Sequence, residues 1–75
     1  MVSKEVKNIG IIVGNKIRKI RDTQGISQEE LAARAEVHRT YISHVECATR
    51  NITIYVLVKI AKALKVHPSD LLKEL

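Results

Sequence analysis

The chain has 75 residues, a formal net charge of +5 and 45% hydrophobic residues, of which only two, both tyrosines, are aromatic. A chain this short buries roughly 60% of its unfolded surface, so it supports one domain with one aliphatic core. The composition argues against an aromatic stacking platform, a membrane span and, because Cys47 is the single cysteine, a disulfide framework; it favours a cytoplasmic protein with a polyanionic partner.

The first predicted element is a helix from Ile9 to about Gln24. Its apolar residues recur at three- and four-residue steps, which places them on one face: Ile9, Ile12, Val13, Ile17 and Ile20. Gly10 and Gly14 weaken such a helix by about 1 kcal/mol each relative to alanine, and Gly25 is a natural stop. The polar residues 1–8 are either an extra helical turn or a mobile basic arm.

Two short helices joined by a tight turn follow. Ser27 predicts a capping box, in which its hydroxyl accepts from the Glu30 amide and the Glu30 carboxylate reaches back. The turn falls at Glu36, where positive φ is expected at a cost on the order of 1 kcal/mol for a residue other than glycine. His38 is the expected N-cap of the second helix, Arg39 to Glu46, whose inward residues are Ile42 and Val45.

The helix that starts at Arg39 lacks an obvious stop. Cys47 and Ala48 follow it and neither is glycine, so the helix either continues for a turn or stops with strain. The polar residues Thr49, Arg50 and Asn51 then form a loop.

Two more helices complete the predicted domain. Thr53 is a plausible N-cap for the fourth, whose inward residues are Ile54, Leu57, Ile60, Ala61 and Leu64. His67 and Pro68 begin a short fifth helix. Several apolar residues lie off the inward faces or at the C-terminal end and predict a homodimer interface: Tyr55, Val56, Val58, Leu72 and Leu75. Alternatively, the terminal leucines only complete the core.

Four motifs in order, IRxxR, GxSQEELA, RTYISxxE and KIAKAL, resemble the phage-repressor-like (Xre-type) helix-turn-helix family. The segment HRTYISHVE, with RNI shortly after it, is most similar to the controller proteins of bacterial restriction–modification systems. The resemblance covers roughly Val13 to Leu72 and implies an all-α, compact five-helix lambda-repressor-like DNA-binding domain. The chain length predicts that residues 1–75 form this single domain. The family resemblance further implies a transcriptional regulator of bacterial or phage origin that binds palindromic double-stranded operator DNA as a homodimer, without a cofactor.

The resemblance also assigns roles to individual residues. Positions that match base-contacting residues are Arg39, Thr40, Ser43 and His44, and arginine suits guanine because it donates two parallel hydrogen bonds. Expected phosphate contacts are Gln28, His38, Tyr41, Arg50, Asn51, Lys16 and Arg18, and Gln28 is also expected to brace the recognition helix. Arg21 and Glu46 match a pair that commonly forms a buried structural salt bridge.

Other interpretations of these residues are weaker. Each basic residue taken singly could be a solvated charge. His38, His44 and Cys47 could be imagined as metal ligands, but the spacing CxxC…HxxxH is absent. No glycine-rich phosphate loop or nucleophile–base pair suggests an enzyme or a small-molecule site. The remaining alternatives are an antitoxin-type or phage-type repressor and a protein-interaction module with an acidic partner.

Overall fold

Five helices make up the part of the chain that the computed structural model describes, residues 4–73, with side chains described from Ile9 onward. They are α1 (Lys4–Gln24), α2 (Gln28–Ala35), α3 (Arg39–Glu46), α4 (Ile54–Ala63) and α5 (Pro68–Leu71). The predicted all-α, five-helix fold is confirmed. Residues 4–8 take the helical alternative, and residues 1–3 lie outside the described residues.

Polar side chains cap the helices that follow α1. The Ser27 hydroxyl accepts from the Glu30 amide at 3.0 Å, and the Thr53 hydroxyl accepts from the Val56 amide at 3.1 Å. Each hydroxyl satisfies one of the amides that a helix N-terminus leaves without an internal partner. The reciprocal half of the predicted capping box is wrong, because the Glu30 carboxylate pairs with Arg34 one turn along the exposed face of α2.

The first four helices all end in the same way, with one residue in the left-handed region. These residues are Gly25, Glu36, Ala48 and Lys65, at φ of 71°, 57°, 59° and 59°. In each case the next amide donates to a carbonyl five residues earlier, as Val37 does to Ala32 at 3.0 Å and Val66 to Ala61 at 3.0 Å. This is the Schellman pattern, which satisfies helix carbonyls and reverses the chain. The positive φ predicted at Glu36 is confirmed, and α3 stops before Ala48 rather than continuing.

A lysine at a left-handed position gives a direct test of this geometry. We expect Lys65→Gly to raise the free energy of unfolding by about 0.5–1 kcal/mol, because the relief of left-handed strain exceeds the added flexibility of the unfolded chain. The matched control is Lys62→Gly, in the last turn of α4, which should lower it by about 1 kcal/mol. Urea denaturation followed by circular dichroism measures both. A loss of stability in both variants would contradict the assigned φ.

The core lies where α2 packs against α3 and α4, while α1 closes one side against α3 and α5. Its fully buried side chains come from all five helices: Ile17, Leu31, Ile42, Ile60, Leu64 and Leu71. Two expected core positions are wrong, since Ile9 is exposed and Ile54 is 81% exposed in the first turn of α4. Val56, expected off the inward face, is half-buried and packs against the core. Thr53 caps α4 one residue before Ile54, so Ile54 lies in the exposed first turn and Leu57 is the first buried residue of the helix.

Gly14 sets the distance between α1 and α3. A Cβ added there would lie 2.4 Å from the carbonyl oxygen of Val45 and 3.1 Å from that of Glu46. Only a residue without a side chain allows the backbone of α1 this close to the last turn of α3. The sequence suggested only a weakened helix at Gly14, whereas the structure shows a contact that fixes the position of α3.

Candidate nucleic-acid interface

The N-terminal half of α3 presents polar side chains on the protein surface. Arg39 and Thr40 are exposed, Ser43 is half-buried, and the three together line one shallow depression. His44 is exposed one residue further on. Their order along α3 places them on one contiguous face, opposite the buried Ile42 and Val45. The structure therefore brings three of the four predicted base-contacting residues into one depression, with His44 beside Ser43 in sequence.

The opposite side of α3 is fixed by an ion pair. Arg21 of α1 donates to the Glu46 carboxylate through Nε at 2.8 Å and Nη2 at 3.1 Å. The side chains of Arg21 and Glu46 are 12% and 2% exposed. The hydrogen bond to Glu46 is the main cause that raises the pKa of Arg21 above its ordinary value, against the opposing effect of burial. The pair ties α1 to the last residue of α3.

Gln28 joins this ion pair from a third helix. Its side-chain amide, at the first position of α2, donates to Oε1 of Glu46 at 3.0 Å. A third nitrogen of Arg21, Nη1, donates to the carbonyl of Ile26 at 2.9 Å, so the segment that leads into α2 is held as well. We call Arg21, Gln28 and Glu46 the clamp network. It fixes α3 relative to α1 and α2 and contains no buried side-chain polar atom without a partner.

His38 caps α3 and has a free ring edge. Its Nδ1 accepts from the amide of Thr40 at 3.2 Å. In the neutral ring, a nitrogen that accepts carries no proton, so the proton lies on Nε2, which points away from the cap. His38 is exposed, and its Nε2 can donate a hydrogen bond outward at the start of α3.

The loop after α3 folds back onto Tyr41. The guanidinium of Arg50 lies over the Tyr41 ring, with its carbon 5.5 Å from the ring centroid. The Tyr41 hydroxyl donates to the carbonyl of Asn51 at 3.3 Å. Both loop side chains are exposed, whereas Tyr41 is half-buried. Three of the predicted phosphate-contacting residues thus form one cluster beside α3.

Two predicted phosphate contacts lie elsewhere. Lys16 lines a separate depression on α1 with Ile12, Asn15 and Lys19, and Arg18 is exposed on the same helix. The structure does not place either residue in the depression that Arg39 lines. Their predicted role depends on how far a bound duplex would extend over α1.

The predicted dimer residues are divided between surface and core. Tyr55 is 70% exposed and Leu72 is 41% exposed, while Val56 and Val58 are half-buried. Ile54, which the sequence placed in the core, adds a second exposed apolar side chain at the start of α4. Leu75 lies outside the described residues. The two most exposed large apolar side chains are therefore Ile54 and Tyr55 on α4; Leu72 after α5 and Ile9 and Ile11 on α1 are exposed to a lesser degree.

Residues 4–73, as far as they are described, contain no group of three or more potential metal-ligating side chains. None of the helices in this part of the chain is long and apolar enough to cross a membrane.

Several contacts could not be predicted from any pattern in the sequence. The positions of Arg50 over Tyr41 and of Lys59 over Tyr55 depend on side-chain rotamers. A side-chain hydrogen bond of 2.6 Å from Gln24 to the carbonyl of Leu64 joins the ends of α1 and α4, which are 40 residues apart. These contacts required the three-dimensional arrangement of the helices.

A search against protein families gives the decisive comparison. The helix-turn-helix family profile matches residues 17–71, which include the clamp network and the whole of α2 to α5. The chain belongs to the helix-turn-helix family. Within this helix-turn-helix protein, the match spans every predicted DNA contact except Lys16.

Relatives of this helix-turn-helix protein include control proteins. It is 48% identical over 66 residues to control protein C.BamHI of Bacillus amyloliquefaciens. This alignment covers 87% of this chain and 82% of that protein. This chain is 41% identical over 61 residues to control protein C.SmaI of Serratia marcescens, covering 81% of this chain and 73% of that protein. The resemblance to controller proteins is confirmed.

A solved structure extends the similarity to the fold. The crystal structure of the restriction–modification controller protein C.AhdI from Aeromonas hydrophila superposes with a TM-score of 0.81 at 34% identity. The superposition covers 83% of this chain and 94% of that one.

Proposed function

We propose that this protein is a transcriptional regulator of the restriction–modification controller type, which binds a palindromic operator in double-stranded DNA as a homodimer and has no enzymatic role. The observation that carries the proposal is the exposed edge of α3 at Arg39, Thr40 and Ser43, held in place from behind by the clamp network. A rigid helix with an outward polar edge can enter the major groove, where base pairs differ in their hydrogen-bonding groups. The similarity to control proteins supports the same function.

Base contacts in this proposal come from α3. Arg39 is placed at its first turn, where a guanidinium can donate to O6 and N7 of guanine. Thr40 follows and can contact a thymine methyl group or a phosphate. Ser43 and His44 lie one turn further along the same face. These side chains would set the sequence preference of the protein.

Phosphate contacts would set the position of the protein on the duplex. Gln28 lies at the N-terminus of α2, where backbone amides and the helix dipole favour an anion. The outward Nε2 of His38 is a second donor, and Arg50 and Asn51 supply others from the loop. The net charge of +5 favours the approach of DNA as a whole. The buried carboxylate of Glu46 is offset by Arg21 and opposes this attraction little.

Selection from a pool of random duplexes tests the proposal directly. We expect enrichment of a palindrome with half-sites about one helical turn apart, roughly 34 Å, and affinity that falls steeply as salt concentration rises. Recovery of a single unpaired half-site would contradict the dimeric arrangement. The absence of binding to any duplex at low salt would contradict DNA binding altogether and would favour a protein-interaction module.

Variants of two arginines separate base contacts from phosphate contacts. Arg39→Ala is expected to reduce the preference for the selected palindrome over random duplexes. The discrimination at the base pair that Arg39 contacts should fall by about 1–3 kcal/mol. Arg50→Ala should weaken specific and random duplexes alike and reduce the salt slope by roughly one unit. Lys62→Ala, an exposed cation on α4, is the control and should leave base preference unchanged. Fluorescence anisotropy with both duplexes measures these effects, and equal losses on both duplexes for Arg39→Ala would refute its role.

The homodimer is proposed from the apolar surface on α4 and α5. Ile54 and Tyr55 are 81% and 70% exposed, and Leu72 is a third exposed apolar side chain. Adjacent exposed apolar side chains are typical of a protein–protein contact. A second copy that buries the same surface is the simplest closed arrangement, because a two-fold interface is self-complementary. The α3 helices of the two copies would then face the same side of the duplex.

A charged substitution at this surface tests the dimer. Tyr55→Asp is expected to weaken self-association at least about tenfold, since a carboxylate would be buried in an apolar interface. Tyr55 is 70% exposed, so the fold of the monomer should remain. Sedimentation velocity over a concentration series measures the change, with Tyr55→Phe as the control that keeps the ring. An unchanged sedimentation profile for Tyr55→Asp would place the interface elsewhere.

A further inference from the structure

The loop between α3 and α4 is held against α3 by Tyr41. Arg50 and Asn51 are exposed, and residues 51–53 have no regular secondary structure. An exposed arginine ordinarily samples many rotamers, and ordering it on a ligand costs binding free energy. The contacts of Tyr41 reduce that freedom before any ligand binds.

Tyr41 makes two separate contacts with this loop. Its ring lies under the Arg50 guanidinium at 5.5 Å, within the range of a cation–π interaction. Its hydroxyl donates to the backbone carbonyl of Asn51 at 3.3 Å, which is long for such a bond. Together the two contacts join the ring and the hydroxyl of Tyr41 to neighbouring residues of the loop. Tyr41 itself is half-buried and packs against the core, so it is a firm support.

We infer that Tyr41 is a positioning residue, which holds Arg50 and Asn51 in the orientation that binds DNA phosphate. The inference rests on the proposed function and changes the role that sequence assigned to Tyr41, from a phosphate contact to the support of the residues that make one. A guanidinium that lies over a ring still has N–H groups at its edge, which can donate to phosphate oxygens. The Tyr41 hydroxyl, in contrast, lies 3.3 Å from the Asn51 carbonyl oxygen, to which it donates.

The position of Arg50 can be measured in the free protein by NMR. We expect its δ-methylene protons to be shifted upfield by the Tyr41 ring current, to lose that shift in Tyr41→Leu and to keep it in Tyr41→Phe. Lys59, which lies over Tyr55 at 4.9 Å, gives an internal reference that should not change. An unshifted Arg50 in the unsubstituted protein would overturn the inference.

A double-substitution cycle tests whether this position matters for binding. On a random-sequence duplex at low salt, Tyr41→Leu should weaken binding about two- to five-fold, the equivalent of an exposed cation–π contact. In the Arg50→Gln background the same substitution should have a smaller effect, because only the hydroxyl contact with Asn51 is left to lose. Tyr41→Phe keeps the ring and the core packing and should stay within about two-fold of the unsubstituted protein.

The possible outcomes separate the inference from the proposed function. An equal loss for Tyr41→Leu with and without Arg50 would show that Tyr41 does not act through Arg50, and would overturn the inference while DNA binding stands. A large loss in Tyr41→Phe would point to direct contact through the hydroxyl, with the same consequence. If the unsubstituted protein binds no duplex, both the function and the positioning role fail. Thermal unfolding of each variant confirms that the compared proteins are folded.

Discussion

Glu46→Ala is expected to lower the free energy of unfolding by about 3–5 kcal/mol. The substitution leaves the Arg21 guanidinium, 12% exposed, without the carboxylate that accepts two of its hydrogen bonds. Gln28 loses its acceptor at the same time. Because a small domain has a stability of roughly 5–15 kcal/mol, this loss is a large part of the total. Urea denaturation followed by circular dichroism at low temperature measures it.

The control is an exposed carboxylate–arginine pair on α2. Glu30 and Arg34 are paired on the surface of α2, with side chains 47% and 41% exposed. Glu30→Ala should therefore cost about 0–1 kcal/mol. A double variant, Arg21→Met with Glu46→Leu, removes both buried charges and should recover much of the loss in Glu46→Ala. Equal costs for Glu46→Ala and Glu30→Ala would show that burial does not strengthen the inner pair.

Gly14→Ala is expected to lower the free energy of unfolding by about 2–3 kcal/mol through overpacking. Alanine favours a helix over glycine by about 1 kcal/mol, but the new Cβ would meet a backbone oxygen 2.4 Å away. A backbone oxygen cannot rotate aside as a side chain can, so α1 and α3 must separate. The same denaturation experiment applies. DNA binding should weaken further, because displacement of α3 also strains the clamp network.

Gly10→Ala is the matched control on the same helix. Its nearest neighbour would be the Cβ of Ala48 at 4.0 Å, which is an ordinary van der Waals contact. Without a clash, the helix preference of alanine should raise the free energy of unfolding by up to about 1 kcal/mol. The two glycines are four residues apart, yet the expected signs are opposite. The same sign for both would mean that the approach of α1 to α3 is not a tight one.

Periodicity and capping residues predicted all five helices, because those signals act within a few residues. Ser27, His38 and Thr53 mark helix starts by a hydrogen bond to an amide two or three residues ahead. The C-terminal ends of the helices were harder to predict from the sequence than their starts. Of the four left-handed residues, Gly25 is the expected type and Glu36 was recognised from its place in the motif. A strained stop at Ala48 was one of two outcomes that the sequence left open, and Lys65 gave no indication. A Schellman ending is imposed by tertiary packing when the residue itself does not favour it.

The candidate interface was predictable to a similar degree. The order of residues on α3 follows from helical geometry, so Arg39, Thr40 and Ser43 could be grouped without coordinates. The roles of Gly14 and Tyr41 could not be predicted in this way. Each depends on a tertiary contact with another segment, and local sequence patterns do not show which segments come together. Ile54 was misplaced because a first-turn residue satisfies the helical period without reaching the core.

Helix α3 divides its positions between two tasks. Ile42, Val45 and Glu46 are buried and hold the fold together, whereas Arg39, Thr40 and His44 are exposed. Substitutions at the exposed positions leave the core untouched, and surface changes of this kind usually alter stability by less than about 0.5 kcal/mol. Under the proposed function, the preferred operator could therefore diverge during evolution at little cost to folding, and a regulator and its DNA site could change together one base pair at a time.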